Sequence, residues 1–267
     1  MAVSVEEHGT DEPRSGVQSV ERAISVLRLF QDGAAEQSIT EIGRQTGLNL
    51  STAHRLVKAL CAAQFMEQDP ESERYRLGSA LMALGQRALE NAGFTAALPV
   101  LERLAEQSGE SVSLGIRRNQ DVIVVLASAS QQRLRFDHAP GASIGLHASA
   151  MGKALLAFTV GSAESIVAEL PALERFTPTT ITSKKALAAD LTLIRANGYA
   201  VNREERYVGV VGVAVPVLDR SGQARAAVGL QGPTARLASA SLESVGAMVR
   251  AAADEIADLL GSGTRSD

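Results

Sequence analysis

The chain has 267 residues, 45% of them hydrophobic and 21% charged, and its formal net charge is −4 at pH 7. This composition is typical of a globular protein with room for two domains, and it excludes a membrane-spanning helix because no apolar run approaches the roughly 18 residues required. A single cysteine, Cys61, excludes an internal disulfide and a cysteine-rich zinc site, and without a signal peptide we expect a cytoplasmic protein with no membrane partner.

The N-terminal part opens with a polar, acidic stretch, residues 1–16, which has no periodicity and is predicted to be a disordered tail. Ser19 is placed to cap a first helix whose apolar residues recur at helical spacing as far as Phe30. Asp32 and Gly33 end that helix. It would form the back of an N-terminal domain.

Two short helices joined at a glycine are predicted next. Ser38 and Glu41 have capping-box spacing, and Gly47 can end the first helix in the left-handed conformation. Asn49 or Ser51 can cap the second helix, whose buried stripe is Ala53, Leu56, Val57 and Leu60. The outward face carries hydroxyls and cations suited to phosphate and base-edge contacts, namely Ser51, Thr52, His54, Arg55 and Lys58. The pattern predicts a helix-turn-helix that binds DNA; the alternative is an ordinary helical hairpin with a solvated outer face.

A β-hairpin is predicted directly after these helices, with strands at 65–68 and 74–77. Arg74 and Arg76 would project to one side of it, opposite Tyr75 and Leu77. Two arginines on a hairpin that follows a recognition helix are typical of a wing, which contacts sugar-phosphate or a minor groove. The negative net charge argues against a non-specific polyanion binder but is compatible with specific recognition.

A linker helix is predicted over residues 79–91. Its narrow apolar stripe favours pairing with a second copy of the chain, or alternatively packing on its own domain, and consists of Leu81, Leu84, Ala88 and Leu89. Gly93 ends the helix. The predicted organisation is a DNA-binding domain at 17–78, a linker at 79–94, a C-terminal domain at 95–261 and a disordered tail at 262–267.

The C-terminal domain is predicted to be α+β, a mostly antiparallel sheet with helices packed on it. Strands are expected at 111–117, 122–129, 133–137, 210–218 and 224–231. Helices are expected at 98–107, 150–158, 162–169, 184–197 and 241–260.

Outside its tails the chain resembles the IclR (isocitrate lyase regulator) family of bacterial transcription factors. The matching words are VQSVERAISVLRLF, ITEIGRQTGLNLSTAHRLVKAL and RYRLG, then LHASAMGKALLAF, GYAVNREERYVGVVGVAVPV and QGP. The resemblance implies a winged helix-turn-helix, a linker helix and a GAF-like effector-binding domain. It also implies a homodimer or dimer of dimers on a roughly palindromic operator of double-stranded DNA.

The resemblance also carries over candidate sites. The family's DNA contacts fall on Ser51, Thr52, His54, Arg55, Arg74 and Arg76, nearly the set chosen from the residues alone. A small organic acid, held by backbone groups that open a helix, would meet Ser149, Ala150 and Met151. Asn202 stands at the family's common Asp, Gly212 at its Cys, and Gly229 and Gln231 at two Ser positions, and Val210 joins this set. These departures predict a roomier, less acidic pocket for a larger acid, such as an aromatic one on which Phe136 could stack. The alternative role of Phe136 is that of a core aromatic.

No catalytic residue, metal site or cofactor is predicted. His138 and His147 are too isolated to form a metal motif, and the adjacent Glu204 and Glu205 should point apart. Two functions remain. The favoured one is a ligand-responsive, sequence-specific DNA-binding regulator of a catabolic operon. The alternative is a small-molecule-binding or catalytic α+β protein whose N-terminal helices serve only assembly.

Overall fold

The N-terminal unit, which ends at Gln86, packs three helices against a two-stranded hairpin. The computed structural model describes residues 15–237 and 241–262 of the chain. The elements of this unit are α1 (Ser15–Asp32), α2 (Ile39–Thr46), α3 (Leu50–Ala62), β1 (Met66–Gln68) and β2 (Tyr75–Leu77). Helix α1 begins at Ser15, so the prediction that Ser19 caps it is wrong, and the predicted tail before Ser15 lies outside the described residues.

The core of this unit joins all three helices to the hairpin. Its buried members are Val26, Phe30, Ile42, Val57, Met66 and Tyr75. The backbone of Gln37 exchanges two hydrogen bonds with that of Tyr75, which attaches β2 to the segment that opens α2. Of the two hairpin residues predicted to share a side, Tyr75 is buried in this core, whereas Leu77, at the end of β2, is 41% exposed.

Helix α4 (Ala80–Asn91) follows the hairpin, and none of its residues is buried. Of its predicted apolar stripe, Leu84 is 54% exposed, whereas Leu89 packs against the core of the C-terminal unit. Gly93, with φ of 75°, comes after the end of the helix and is followed by a short 3-10 turn.

The C-terminal unit contains a six-stranded antiparallel sheet in the order β5-β4-β3-β8-β7-β6. Its strands are β3 (Ser111–Arg118), β4 (Asp121–Ser128), β5 (Ser143–Gly145), β6 (Ala200–Arg203), β7 (Val210–Leu218) and β8 (Ala224–Pro233). Its helices are α5 (Leu98–Ser108), α6 (Ala150–Ala157), α7 (Ala163–Ala168), α8 (Lys184–Asn197), α9 (Thr234–Leu237) and α10 (Leu242–Ser262). The predicted α+β class, with a helix-turn-helix before an antiparallel sheet domain, is therefore confirmed.

The main error of the strand prediction lies at the sheet edge. Residues 129–142 form no strand, so the predicted strand at 133–137 is wrong, and β5 pairs with β4 instead. Side-chain bonds hold this irregular segment: the Ser130 N–H donates to Ser111 Oγ at 3.1 Å, and Arg135 pairs with Asp137 at 2.7 Å. Strand β6 was not predicted.

Helices cover both faces of the sheet. Helices α6, α7 and α8 enclose one apolar core with residues such as Leu155 and Leu187, and α5 and α10 enclose another with Leu101 and Ile256. Burial on both faces explains why β7 reads as an almost continuous apolar run, VVGVAVPVL. In the described part of the chain, no helix is long and apolar enough to cross a bilayer.

Candidate DNA-binding face and effector cavity

Short-range caps define the two helices of the helix-turn-helix. The Glu41 N–H donates to Ser38 Oγ at 3.3 Å, and the Glu41 carboxylate accepts from the Ser38 N–H at 2.7 Å, which completes the predicted capping box. Gly47 ends α2 in the left-handed conformation with φ of 70°. Of the two candidate caps for α3, Asn49 is the one used, and it accepts from the Thr52 N–H at 2.8 Å. The local sequence thus fixes where the recognition helix begins.

The outer face of α3 carries the predicted DNA contacts. Ser51, His54, Arg55 and Lys58 are exposed, and Thr52 is half-buried. Within the described residues the three cationic or ionisable side chains of this set make no ion pair. Ser51 differs, because its hydroxyl donates to Asn49 Oδ1 at 2.9 Å and cannot donate to a phosphate at the same time.

The structure separates the two hairpin arginines, which the sequence treated alike. Arg74 lies 2.8 Å from Glu41 and 3.0 Å from the Glu36 carbonyl, so it ties the hairpin to the start of α2. Arg76 is exposed and makes longer pairs, 3.7 Å to Glu36 and 3.5 Å to Glu67. Surface pairs of this kind contribute little, so Arg76 can exchange them for phosphates whereas Arg74 has a role in the fold.

A cavity of about 30 Å³ lies in the C-terminal unit where α6 begins above β7 and β8. Of the nine predicted effector residues, those that line it are Ser149, Ala150, Met151, Asn202, Val210, Gly212, Gly229 and Gln231. Phe136 does not line it. Its ring packs edge-on against His138 at 5.4 Å and at a tilt against Tyr207 at 4.9 Å, and these two side chains do line the cavity.

The space beside Gly229, where the sequence predicts extra room, contains a neighbouring side chain. A Cβ placed on Gly229 would lie 2.6 Å from Met151 Cγ, so the methionine side chain occupies the space that the glycine leaves. At about 30 Å³ the cavity is far smaller than a usual ligand pocket, and the Met151 side chain is the group whose movement would enlarge it.

Asn202 lines the cavity and also makes two hydrogen bonds within the fold. Its Nδ2 donates to the Ala148 carbonyl at 2.6 Å, and its Oδ1 accepts from the Glu205 N–H at 2.9 Å. Both ends of the amide are engaged. The residue therefore ties the loop after β6 to the segment that opens α6.

Residues 177–182, which read TPTTIT, hold that loop in a strained shape. Glu204 has φ of 60°, a conformation unusual for a residue with a side chain. Its carbonyl accepts from the hydroxyls of Thr177 at 2.7 Å and Thr179 at 2.9 Å, while the Glu205 carbonyl accepts from Thr180 at 2.7 Å. Strained loops that several hydrogen bonds hold in place are frequent at ligand sites.

The loop presents Arg206 to the cavity, a residue that the sequence did not single out. Its guanidinium lies 3.7 Å above the Phe176 ring and 5.5 Å from the Tyr207 ring. Among the residues that the structure describes, it has no carboxylate partner. The first N–H groups of α6, those of Ala150 and Met151, also have no acceptor within the helix. A guanidinium without a counterion beside free helix N–H groups is suited to an anion.

His138 forms part of the cavity wall, although the sequence indicated an isolated histidine. Gln231 Nε2 donates to His138 Nδ1 at 2.8 Å. Burial, reinforced by the positive charge of Arg206, lowers the pKa of His138 from 6.5 to about 4. The imidazole is therefore neutral at neutral pH.

A buried ion pair between α6 and the loop after β6 holds the same loop in place. Lys153 is 1% exposed, and its Nζ lies 2.6 Å from Glu205 Oε1 and 2.8 Å from Asp190 Oδ2. Burial raises the pKa of the Glu205 carboxyl, and the Lys153 ammonium opposes that rise. Glu204 points the other way and accepts from the Thr234 hydroxyl at 2.8 Å, so the two carboxylates do diverge as predicted.

Two family models match the chain. The model described as the IclR helix-turn-helix domain matches residues 19–70, and the one described as bacterial transcriptional regulator IclR C-terminal matches residues 86–258. Together these matches include the helix-turn-helix and the whole cavity.

Curated relatives extend over nearly the full chain. The HTH-type transcriptional regulator BhcR of Paracoccus denitrificans is 33% identical over 246 residues, which is 92% of this chain and 88% of that protein. The HTH-type transcriptional repressor AllR of Escherichia coli is 33% identical over 258 residues, 95% of this chain and 94% of that protein.

Solved structures are similar over most of their length. An IclR transcriptional regulator from Alicyclobacillus acidocaldarius has a TM-score of 0.82 and 27% identity, and the match covers 91% of this chain and 99% of that one. An IclR homologue from Microbacterium hydrocarbonoxydans, in complex with 4-hydroxybenzoate, has a TM-score of 0.79 and 25% identity, with 91% and 98% covered.

Proposed function

The chain belongs to the IclR family of bacterial transcriptional regulators, with a helix-turn-helix domain and an effector-binding domain, and we propose that its effector is an aromatic carboxylic acid. The observation that carries this proposal is Arg206, a half-buried guanidinium beside the cavity. It has no carboxylate partner in the described part of the chain. No Asp or Glu is among the described residues that line the cavity, so an anion meets no like charge there.

Aromatic character in the ligand follows from the surroundings of this cation. His138 and Tyr207 line the cavity with rings that can stack on a planar ligand, Phe136 packs behind both of them, and Phe176 lies under the Arg206 guanidinium. The 4-hydroxybenzoate complex of the Microbacterium relative supports the same ligand class. We infer that the regulated operon is catabolic and serves the breakdown of such an acid.

DNA binding would use the outer face of α3 in a major groove. We propose that Arg55 and His54 contact base edges, that Thr52 and Lys58 contact phosphates, and that Arg76 contacts the backbone from the hairpin; all but the half-buried Thr52 are exposed. Ser51 would first have to leave its bond to the helix cap. We propose that these contacts are repeated on a roughly palindromic operator by a homodimer or a dimer of dimers in the cytoplasm.

The surface for a second copy is the exposed apolar part of the N-terminal unit. Val17 and Val20 of α1 are 67% and 59% exposed, and Met82 and Leu84 of α4 are 72% and 54% exposed. Exposed side chains of this size on two helices are typical of an interface. The alternative reading, in which the N-terminal helices only assemble an enzyme, has no support from the relatives, which are named transcriptional regulators.

The test is a fluorescence-anisotropy titration of the full chain against DNA upstream of its own gene, beside a scrambled duplex. We expect preference for the genomic duplex, a steep loss of affinity with salt, and a change in affinity on adding benzoate or 4-hydroxybenzoate. Equal binding of both duplexes would contradict a sequence-specific regulator. A response to pyruvate and glyoxylate alone would contradict an aromatic effector.

A matched pair of variants tests the role of the cation. Arg206→Gln should still bind the operator but no longer respond to the acid, because the carboxylate loses its counterion. Arg220→Gln, on an exposed turn, should respond as the wild type does. An unchanged response in Arg206→Gln would show that the anion binds elsewhere.

A further inference from the structure

A second cavity of about 210 Å³ lies beside the first, and the two share His138 and Gln231 as wall residues. The second cavity is the more polar one, since Ser111, Ser113 and Asp137 contribute to its wall. Together the cavities approach the size of a pocket for a small organic ligand, which neither reaches alone.

The strand register explains why the cavities are neighbours. Ser113 of β3 pairs with Gly229 of β8, and Ser111 pairs with Gln231. Directly paired residues of antiparallel strands point to the same face, and adjacent strands lie about 5 Å apart. One cavity therefore lies over β7 and β8 and the other over β3 and β4, on the same side of the sheet.

Side chains form the wall that the two cavities share. Gln231 and His138 form one hydrogen bond of 2.8 Å across the wall, and the Met151 side chain lies between Gly229 and the Ser113 hydroxyl, 3.7 Å from its sulfur. A bond between two neutral groups and a flexible thioether can give way by side-chain rotation, without movement of the backbone.

We propose that the effector spans both cavities, with its carboxylate at Arg206 and a hydrogen-bond donor at its far end in the second cavity. The inference rests on the proposed function, since it requires an acid in the first cavity. The class is a monocarboxylic acid with a hydroxyl or amino group roughly 5–10 Å from the carboxylate, one to two strand spacings.

The second cavity favours an effector with a hydrogen-bond donor at its far end, because Asp137 forms part of the cavity wall. Asp137 accepts from the Ser111 hydroxyl, and its other oxygen pairs with Arg135, which is not among the described residues that line the cavity. A carboxylate in the cavity wall accepts a hydrogen bond from a hydroxyl or amine and repels a second carboxylate. Dicarboxylic acids of the same length are therefore excluded.

Isothermal titration calorimetry of the full chain with three probes tests this selectivity. We expect 4-hydroxybenzoate to bind about tenfold or more tightly than benzoate, because a hydrogen bond to a charged acceptor is lost in benzoate. Benzene-1,4-dicarboxylate should bind most weakly. Dicarboxylate binding equal to that of 4-hydroxybenzoate would overturn the inference.

Variants that fill the second cavity test its location. Ala127 pairs with Ser113 and so faces the second cavity. Ala127→Leu should weaken 4-hydroxybenzoate about tenfold or more, whereas the matched Ala127→Ser should stay within about threefold. Ala129→Leu, at an exposed wall position just after β4, provides a second filling variant with little risk to the fold, which circular dichroism checks.

The outcomes separate the two proposals. If no probe acid binds the wild type, the proposed effector class and this inference both fail. If acids bind in a manner that depends on Arg206 but both leucine variants bind 4-hydroxybenzoate normally, only the two-cavity inference is overturned.

Discussion

Replacing Lys153 by methionine should destabilise the C-terminal unit by about 3–5 kcal/mol, the usual cost of removing one partner of a buried ion pair. The Lys153 side chain is 1% exposed and that of Glu205 is 7% exposed, so water cannot replace the lost ammonium at Glu205. Asp190 is 30% exposed and can be partly hydrated. Most of the lost free energy of unfolding should therefore come from the Glu205 carboxylate, which stays buried without a counterion.

The pH dependence of Lys153→Met gives an independent check of that cause. Burial already raises the pKa of Glu205 above its ordinary 4.5, and loss of the opposing ammonium should raise it further. Between that raised pKa and the ordinary one, the folded state binds more protons than the unfolded state, so stability rises as the pH falls. The deficit of the variant should shrink as the pH is lowered from about 7 toward that window.

Urea unfolding followed by circular dichroism measures the effect, with a lower midpoint and an unchanged slope expected. Lys185→Met, at an exposed position of α8, is the matched control. The double variant Lys153→Met/Glu205→Gln should recover part of the loss, because no uncompensated charge stays at Glu205. A loss below about 1 kcal/mol, or a double variant as unstable as the single one, would refute the reasoning.

Three further predictions concern other elements. Arg55→Ala should weaken operator binding about tenfold or more with fold and oligomeric state intact, and Lys58→Ala should weaken it less. Unchanged operator affinity of Arg55→Ala in a gel-shift titration would show that Arg55 is not a DNA contact. Ser38→Ala should cost about 1 kcal/mol in the thermal unfolding of the N-terminal unit because the cap of α2 is lost, whereas the exposed Thr40→Ala should be near neutral, and equal losses would argue against the cap. The pKa of His138 is lowered from 6.5 to about 4, so the unfolded state binds the proton first and the free energy of unfolding should fall as the pH drops through that range. His138→Gln should show a shallower fall. Identical slopes of unfolding free energy against pH in the two proteins would refute burial of His138 as the cause.

Sequence reasoning succeeded where the determining contacts are local. Ser38 and Glu41 are three residues apart, Gly47 needs only its own backbone conformation, and Asn49 caps the helix that follows it at once. Helix α8 likewise runs over the predicted Lys184–Asn197. Each signal lies within one helical turn of its effect, so the sequence alone displays it.

The prediction of individual strands was less complete, because a strand is defined by its partner. The segment around 133–137 has a plausible alternation, yet β4 takes Ser143–Gly145 as its edge neighbour. The short β6 has a pattern too weak to be recognised without β7 beside it. Predicted effector positions that came from the family words gather around one cavity. The sequence did not show that two of them also make contacts within the fold: Asn202 bonds to the backbone, and Met151 fills the space over Gly229.

By itself, the sequence determined the helix-turn-helix, its exposed cationic face and the α+β class of the second domain, since caps, periodicity and turns act between near neighbours. Only the tertiary structure decided which side chains meet around the cavity. Lys153 lies 52 residues from Glu205, and Gln231 lies 93 residues from His138. A lysine in the apolar run AMGKALLA signals that some carboxylate must accompany it, but not which one. Choosing the partner requires the packing of α6 against α8 and the loop after β6, and that packing is a property of the whole sheet domain.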